Sequence, residues 1–277
     1  CEAGDEVIYP NPGFPIYESM INFAGAKAVP IPLRMENDFG LDVDELASLV
    51  TDRTKLIILN SPANPTGGVV SAEQLARVAE VAQARGIPVL SDEIYCRLLY
   101  DDTFASIASV PGMAEQTIIL DGFSKTYAMT GWRLGYGVMP VDLARQITKL
   151  MVNSNSCTAA FTQMAGVEAL TGPQDSVDVM LSKFRRRRDV MVAGMNSIPG
   201  FRCLTPEGAF YVFPNIEGTG LSSQALADKL LYEAGVAALA GTCFGAYGEG
   251  FIRFSYANSE ANLRKALERV GEVVAKL

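Results

Sequence analysis

Short apolar runs alternate with helix-like segments along the first half of the chain. Six of these runs, at residues 7–10, 28–33, 55–60, 87–92, 117–121 and 134–139, are predicted to be strands. They are nearly all apolar, which is typical of strands covered on both faces of a sheet. Between the third and fourth runs, residues 71–85 carry apolar side chains at helical spacing. Ser71 and Gln74 predict a capping box at the start of this helix, and Gly86 predicts its end.

Strand, helix and strand in this order form a βαβ unit, which predicts an α/β fold with a mostly parallel central sheet flanked by helices. The composition changes near residue 172, and a long helical pattern follows at 175–196. Beyond it lie short predicted strands (210–214 and 251–255) and two helical patterns (222–234 and 260–276). We therefore expect a large domain over residues 1–185 and a smaller C-terminal α+β domain over residues 186–277.

The long helical pattern contains four consecutive arginines at residues 185–188. We interpret this basic run as the solvated face of a connecting helix, with an anion-binding site as the alternative.

Composition narrows the classes of function. The chain has 277 residues, of which 49% are hydrophobic and 19% are charged, as in a globular protein with a sizeable core. Its net charge of −8 argues against nucleic acid as a partner. No apolar run is long enough to span a bilayer, and the first residues lack the pattern of a signal peptide. We expect neither a nucleic-acid nor a membrane partner.

Cysteine and histidine usage limits the chemistry further. The five cysteines are scattered and form no Cys-x-x-Cys pair, which favours a reduced, cytoplasmic location over a disulfide framework or a metal site. The chain contains no histidine, so catalysis by a histidine base and histidine-ligated metals are excluded. Proton transfer must then use another titratable side chain or a cofactor.

Three predicted strands end in polar residues. Asn64 follows the strand at 55–60, and Lys125 follows the strand at 117–121. Asp92 is the last residue of the strand at 87–92, and Tyr95 comes three residues later. Parallel strands share one carboxyl edge, where ligands bind in open α/β sheets, so we expect these side chains to converge on one crevice. Each also has a structural explanation by itself: Asn64 in a turn, Asp92 as a helix cap and Lys125 at the surface.

Residues 124–136 read SKTYAMTGWRLGY. This segment closely resembles the cofactor-lysine motif of the class I aminotransferases, members of the fold type I pyridoxal-phosphate family. NSPANPTG at 60–67 is similar to its Asn-Pro-Thr-Gly loop, and SDEIY at 91–95 to its Asp-Glu-x-Tyr segment. FIRFS at 251–255 resembles the strand that carries the substrate-binding arginine. The order and spacing of the segments fit the family over essentially the whole chain.

The resemblance implies transfer of an amino group between an L-amino acid and a 2-oxo acid through a Schiff base of pyridoxal 5'-phosphate on Lys125. Lys125, once released, would move the proton from the substrate α-carbon. Asp92 would keep the pyridine nitrogen protonated, which makes the ring an electron sink. Asn64 and Tyr95 would hydrogen-bond the phenolic oxygen of the cofactor and tune the pKa of the Schiff base.

The remaining implied roles concern the phosphate, the face of the ring and the substrate. Arg133 would pair with the phosphate and Phe14 would stack on the ring. Ser124 would also bind the phosphate, although relatives often carry their phosphate serine at the position of Gly122. Arg253 would grip the substrate α-carboxylate by two hydrogen bonds, with Asn64 also in the substrate site. A homodimer with active sites near the subunit interface is implied as well.

The start of the chain leaves several hypotheses open. Cys1 stands at the family's Pro-Gly-Asp-Glu-Val region, and relatives have a substantial preceding segment that includes a Gly-rich helix N-terminus at the phosphate. Either the sequence is a fragment or it lacks that portion, and this chain could be an inactive remnant. Two different functions also fit the motifs: a β-lyase-type or decarboxylase-like enzyme with the same cofactor, and an aminotransferase-like ligand-sensing domain of a transcription regulator. The preferred amino acid is not predicted.

Overall fold

The large sheet matches the predicted apolar runs. The computed structural model describes residues 1–100 and 103–277. Its six-stranded sheet has the order β2-β1-β3-β4-β5-β6, in which β6 is antiparallel to β5 and the other neighbours are parallel. The strands are β1 (Glu6–Asn11), β2 (Lys27–Pro32), β3 (Thr54–Asn60), β4 (Val89–Asp92), β5 (Thr117–Gly122) and β6 (Gly135–Val138). The mostly parallel sheet predicted from the sequence is therefore confirmed.

Helices cover both faces of this sheet, and the alternation of β1 shows how. Val7 and Tyr9 point to one face and pack in a cluster with Tyr17 and Ile21 of helix α1 (Ile16–Phe23). Ile8 points to the other face and packs in a second cluster with residues of helices α2 (Val43–Leu49) and α3 (Ala72–Arg85). Successive side chains of a strand alternate between faces, so an almost wholly apolar strand serves both clusters.

Helix α3 has the ends that the sequence predicts. The Ser71 hydroxyl accepts a hydrogen bond from the Gln74 backbone, and the Gln74 side chain accepts one from the Ser71 backbone. Gly86 ends the helix in the left-handed conformation, with φ of 61°. The apolar positions Leu75, Val78, Ala79 and Ala82 are all buried. Local sequence alone was enough here because each signal acts within one turn of the helix.

Three further helices follow β6: α4 (Val141–Asn155), α5 (Ala160–Thr171) and α6 (Asp175–Asn196). Helix α6 runs through the predicted domain boundary at residues 185 and 186 without interruption, so that boundary stays a prediction. The basic run on α6 is not uniformly solvated, which corrects our interpretation. Arg188 is 7% exposed, with its guanidinium 4.7 Å from the centre of the Tyr100 ring. Phe184, four residues earlier, is buried as well. Residues four apart lie on the same face of a helix, so Arg188 is on the inward face of α6.

The C-terminal part contains a small antiparallel sheet of order β7-β9-β8. Its elements are β7 (Tyr211–Val212), α7 (Ser223–Lys229), β8 (Leu239–Ala240), β9 (Ile252–Ser255) and α8 (Glu260–Val274). Helix α7 continues as a π-helical turn over Leu230–Ala234. The predicted α+β character is confirmed, but β7 is shorter than the predicted strand at 210–214. Pro214 has no N–H group for the ladder, which limits the strand on that side.

Candidate active site

The carboxyl ends of β3, β4 and β5 open onto a cavity of about 400 Å³, within the size range of small-molecule sites. Asn60 pairs with Asp92 and Asp92 with Leu120 across the three strands, so their ends lie level. The cavity is lined by Phe14, Tyr17, Asn60, Asn64, Asp92, Ile94, Tyr95, Leu120, Asp121, Lys125, Tyr211 and Arg253. Six of the eight predicted site residues are among them, and Ser124 and Arg133 are not.

The loop that carries Asn64 is tied to the neighbouring strand by Asn60. The Asn60 side chain donates to the backbone oxygen of Asp92 (3.1 Å) and accepts from the backbone nitrogen of Asn64 (2.9 Å). One amide therefore fixes the distance between two predicted site residues. Asn60 was not predicted as a site residue, although it stands at the end of β3 like the other polar residues.

Asp92 is held by Tyr17, a residue that was not predicted from the sequence. The Tyr17 hydroxyl donates to Oδ2 of Asp92 at 2.6 Å, and the backbone nitrogen of Ile94 donates to Oδ1 at 3.3 Å. Burial raises the pKa of the Asp92 carboxyl, while both hydrogen bonds favour its ionised form. Because Ile94 lies in a turn, this contact is not the cap of an α-helix. Asp92 is a desolvated carboxylate that would gain from a cationic partner in the cavity.

Lys125 lies among aromatic rings. Its Nζ is 5.7 Å from the centre of the Tyr95 ring and 5.5 Å from that of the Phe210 ring. Burial lowers the pKa of the Lys125 amine, and so do the positive charges of Arg253 and Arg133, with Asp92 acting in the opposite direction. A lowered pKa increases the fraction of neutral amine, which is the form that acts as nucleophile or base.

Arg253 reaches the cavity from the small sheet. Its Nη1 donates to Oδ1 of Asn64 at 2.9 Å, which joins two residues 189 positions apart. Its guanidinium carbon lies 4.4 Å from the centre of the Tyr211 ring and 4.8 Å from that of the Phe244 ring. Among the described residues its Nε is buried and has no hydrogen-bond partner. A partly buried guanidinium with an unused donor can bind an anion such as a carboxylate.

Tyr95 and Phe14 differ in burial. Tyr95 is 3% exposed, and its hydroxyl lies 2.9 Å from that of Tyr211. Phe14 is 43% exposed and contacts Tyr17 edge to face, with ring centres 5.8 Å apart. An ordinary core phenylalanine would be buried, so the exposure of Phe14 at the cavity is compatible with a ring that stacks on a ligand.

Ser124 and Arg133 lie outside this cavity, and their phosphate roles stay predictions. Arg133 is exposed, has a left-handed backbone (φ 56°) and donates to the backbone oxygen of Thr130 at 2.9 Å. It lines a neighbouring cavity of about 650 Å³ with Trp132. It is still close enough to Lys125 to lower the pKa of that amine. The backbone oxygen of Ser124 accepts from the Thr130 hydroxyl at 3.0 Å.

Further cavity residues were missed for different reasons. Tyr17 follows Phe14 by three residues, but the short helix α1 that carries it has no side-chain cap and was not predicted. Asp121, the second-to-last residue of β5, also lines the cavity. Burial raises the pKa of its carboxyl, which accepts a hydrogen bond from the Tyr136 hydroxyl at 2.8 Å. Tyr211 stands 116 residues from its partner Tyr95, and no local signal connects them.

The side chains in the cavity fit the ring and the aldehyde of pyridoxal phosphate, whereas Ser124 and Arg133, predicted for its phosphate, lie outside the cavity. The cavity side chains include an amine with a lowered pKa, a carboxylate, an amide and a phenol, which are the groups that the predicted roles of Lys125, Asp92, Asn64 and Tyr95 require. They also include the guanidinium of Arg253, whose Nε has no partner among the described residues. Among the described residues no group of histidine, cysteine, aspartate and glutamate side chains could hold a metal ion. In the same residues no helix is long and apolar enough to cross a membrane.

Comparison with known proteins gives consistent matches. The family "Aminotransferase class I and II" matches residues 1–270. Aspartate aminotransferase from Pyrococcus abyssi is 41% identical over 98% of this chain and 70% of its own length. Arginine–pyruvate transaminase from Pseudomonas aeruginosa is 39% identical over 99% of this chain and 70% of its own length. The crystal structure of an aromatic aminotransferase from Pyrococcus horikoshii superimposes with a TM-score of 0.96 at 40% identity, over 99% of this chain and 74% of that one.

Proposed function

Because this chain belongs to the class I and II aminotransferases, we propose that its amino-group transfer uses Lys125 as the residue that binds pyridoxal phosphate covalently. The enzyme is pyridoxal-phosphate-dependent and transfers an amino group between an amino acid and a 2-oxo acid. The observation that carries the proposal is the position of Lys125, on the cavity wall and with a lowered amine pKa.

Pyridoxal phosphate supplies an aldehyde that amines attack and a ring that accepts the electrons of a broken bond at the substrate α-carbon. Lys125 Nζ is the nucleophile that holds the cofactor and the base that takes the α-proton. The lowered pKa of Lys125 favours both roles because each needs the neutral amine. Asp92, fixed by Tyr17, would keep the proton on the ring nitrogen of the bound cofactor. Tyr95 and Asn64 would donate hydrogen bonds to its phenolic oxygen.

Arg253 orients the substrate in this proposal. Its guanidinium pairs with the α-carboxylate that all amino-acid substrates share, and the unused Nε supplies one of the donors. Asn64 holds Nη1 and so limits rotation of the guanidinium. The buried surroundings strengthen the pairing because little water competes for either charge.

Cofactor attachment can be tested directly. The protein is loaded with pyridoxal phosphate, reduced with borohydride and digested, and the labelled peptide is identified by mass spectrometry. We expect the label on the peptide that contains Lys125 and its loss in Lys125→Ala. Lys149→Ala, which removes an exposed lysine of α4, is the matched control and should keep the label. A label on another lysine in the wild-type protein contradicts the assignment.

The reaction type needs a second measurement, because a β-lyase-type enzyme could use the same residues. Formation of 2-oxo acid from an amino acid is measured with and without an added 2-oxo acid as amino-group acceptor. Transfer requires the acceptor for repeated turnover, whereas a lyase does not. Steady production of 2-oxo acid without any acceptor would favour the lyase.

We also propose that the enzyme is a cytoplasmic homodimer. The five cysteines are all free, as expected for a reducing compartment. Large apolar side chains are exposed along α4 and α5, and a subunit interface would cover such a surface: Val141, Leu143, Leu150, Met151, Val152, Phe161, Met164, Val167 and Leu170. Light scattering on the active protein tests the dimer, and a monomeric mass with full activity contradicts it.

A further inference from the structure

We propose that Tyr211 is a positioning residue of this active site, which holds Tyr95 through its hydroxyl and Arg253 through its ring. The proposal rests on the function proposed above, because it takes Tyr95 as a donor to the cofactor and Arg253 as the carboxylate-binding residue. Tyr211 belongs to β7 of the small sheet, is 6% exposed and lines the cavity. No local sequence motif assigns it a role.

The hydroxyl of Tyr211 determines how Tyr95 uses its single proton. The two phenolic oxygens are 2.9 Å apart and buried, and either could be the donor of the bond between them. When Tyr95 donates to an acceptor in the cavity, its oxygen is free to accept, and the proton of Tyr211 is the one placed to fill that position. A donor that itself accepts a hydrogen bond is polarised and donates more strongly. Burial raises the pKa of Tyr95, so this phenol stays protonated at neutral pH.

The ring of Tyr211 supports the guanidinium of Arg253. The guanidinium carbon lies 4.4 Å from the ring centre, within the range of a cation–π contact. Within the described residues, the guanidinium donates a hydrogen bond to Asn64, and its Nε has no partner. The Tyr211 ring and the Phe244 ring, at 4.8 Å, therefore determine the plane in which the guanidinium presents its donors.

Two variants separate the hydroxyl from the ring. Tyr211→Phe keeps the ring and removes the hydroxyl, and Tyr211→Leu removes both. Each protein is loaded with pyridoxal phosphate, and two quantities are measured without turnover. The first is the pH midpoint of the visible absorbance of the bound cofactor. The second is the dissociation constant of propanoate, a carboxylate without an amino group, from the change in that absorbance.

We expect Tyr211→Phe to raise the pH midpoint by about half to one unit and to change the propanoate dissociation constant less than about twofold. The midpoint rises because a weaker hydrogen bond from Tyr95 leaves more negative charge on the phenolic oxygen of the cofactor. This charge holds the proton of the neighbouring Schiff base to higher pH. Tyr211→Leu should raise the midpoint similarly and also weaken propanoate about fivefold to tenfold. Propanoate binding that is kept in Tyr211→Phe and weakened in Tyr211→Leu identifies the ring as the group that positions Arg253.

Two controls are available in the chain. Tyr100→Phe removes the hydroxyl of another buried tyrosine pair, Tyr100 and Tyr256 (3.1 Å), which does not line the cavity. It should move neither quantity, even if it lowers the free energy of unfolding. Phe244→Leu should weaken propanoate without moving the midpoint.

The outcomes that overturn the proposal are distinct from failure of the proposed function. An unchanged midpoint in Tyr211→Phe refutes the role of the hydroxyl, and unchanged propanoate binding in Tyr211→Leu refutes that of the ring. Borohydride labelling of the wild-type protein is scored separately. Absence of the label from Lys125 refutes the proposed function. Normal labelling, together with an unchanged pH midpoint and unchanged propanoate binding in the Tyr211 variants, refutes only the role of Tyr211.

Discussion

Replacing Arg253 with lysine tests whether this residue binds the substrate α-carboxylate. Arg253→Lys keeps a positive charge but loses the planar fork that can form two parallel hydrogen bonds. It also removes the donor to Asn64 and the flat group that lies against the rings of Tyr211 and Phe244. A hydrogen bond to a charged group contributes about 1.5–3 kcal/mol. Loss of one such bond corresponds to roughly a tenfold to 150-fold decrease in kcat/KM.

The assay is steady-state kinetics with alanine, aspartate and phenylalanine, together with the cofactor spectrum of each protein. Because the α-carboxylate is common to the three substrates, we expect kcat/KM to fall by a similar factor for each one that the wild-type enzyme uses. The spectrum without substrate should be nearly unchanged. Arg34→Lys is the matched control: Arg34 makes a bidentate contact with Glu45 on the exposed surface and does not line the cavity. It should leave kcat/KM unchanged.

Two results would refute the reasoning. A decrease confined to aspartate would place Arg253 at the distal carboxylate of acidic substrates. Loss of the cofactor spectrum in Arg253→Lys would indicate a role in binding the cofactor, which the sequence predicts for Arg133 instead.

Three further changes test other parts of the structure. Asp92→Asn should fold with nearly unchanged thermal stability, because it removes a desolvated charge. Its kcat should fall by about three powers of ten, which corresponds to an activation free energy higher by ~4 kcal/mol. Retained turnover contradicts the role of Asp92. Tyr17→Phe should reduce kcat about tenfold by removing the 2.6 Å bond to Asp92, and a wild-type rate would show that this bond is unimportant. Glu6→Gln should lower the free energy of unfolding in urea by about 1–2 kcal/mol at pH 7, since Glu6 is 3% exposed and accepts from three side chains. The hydrogen bond from Thr51, and then that from Lys27, lower the pKa of Glu6. The stabilisation by Glu6 is therefore present above the ordinary glutamate pKa and disappears as pH falls through the lowered value. A difference in unfolding free energy between wild type and Glu6→Gln that grows in acid contradicts this.

The predictable parts of the fold are those determined by short-range physics. Helix α3 was predicted with both ends because its capping box and Gly86 lie within a few residues of the backbone groups that they satisfy. The inner strands β1 and β3 were predicted because their apolar character reflects burial on both faces, whereas β6 is apolar but exposed. Ligands of open α/β sheets bind at the carboxyl ends of the strands. This rule predicted that Asn64, Asp92 and Lys125 lie in one crevice without knowledge of the strand order, and all three line the cavity.

The parts that were missed depend on contacts between distant segments. Tyr17 and Asp92 are 75 residues apart, and Tyr95 and Tyr211 are 116 residues apart. Nothing in the local sequence of a tyrosine indicates which carboxylate or phenol it will meet after folding. The inward position of Arg188 was missed for a related reason. A run of four identical charges suggests a uniform surface, whereas a helix turns successive residues to different faces.

The two sheets contribute different parts of one site, and their charges are coupled through Lys125. Arg253, on the small sheet, is the second influence after burial that lowers the pKa of the Lys125 amine. A carboxylate that pairs with Arg253 neutralises much of this positive charge and so raises the pKa of Lys125. In the proposed function, the neutral lysine would then be a stronger base toward the substrate α-proton, while burial and Arg133 would still lower its pKa and so favour the neutral form. On this proposal, binding of the carboxylate at the small sheet would favour proton transfer at the large sheet, and Tyr211, which contacts both Arg253 and Tyr95, lies where the two parts meet.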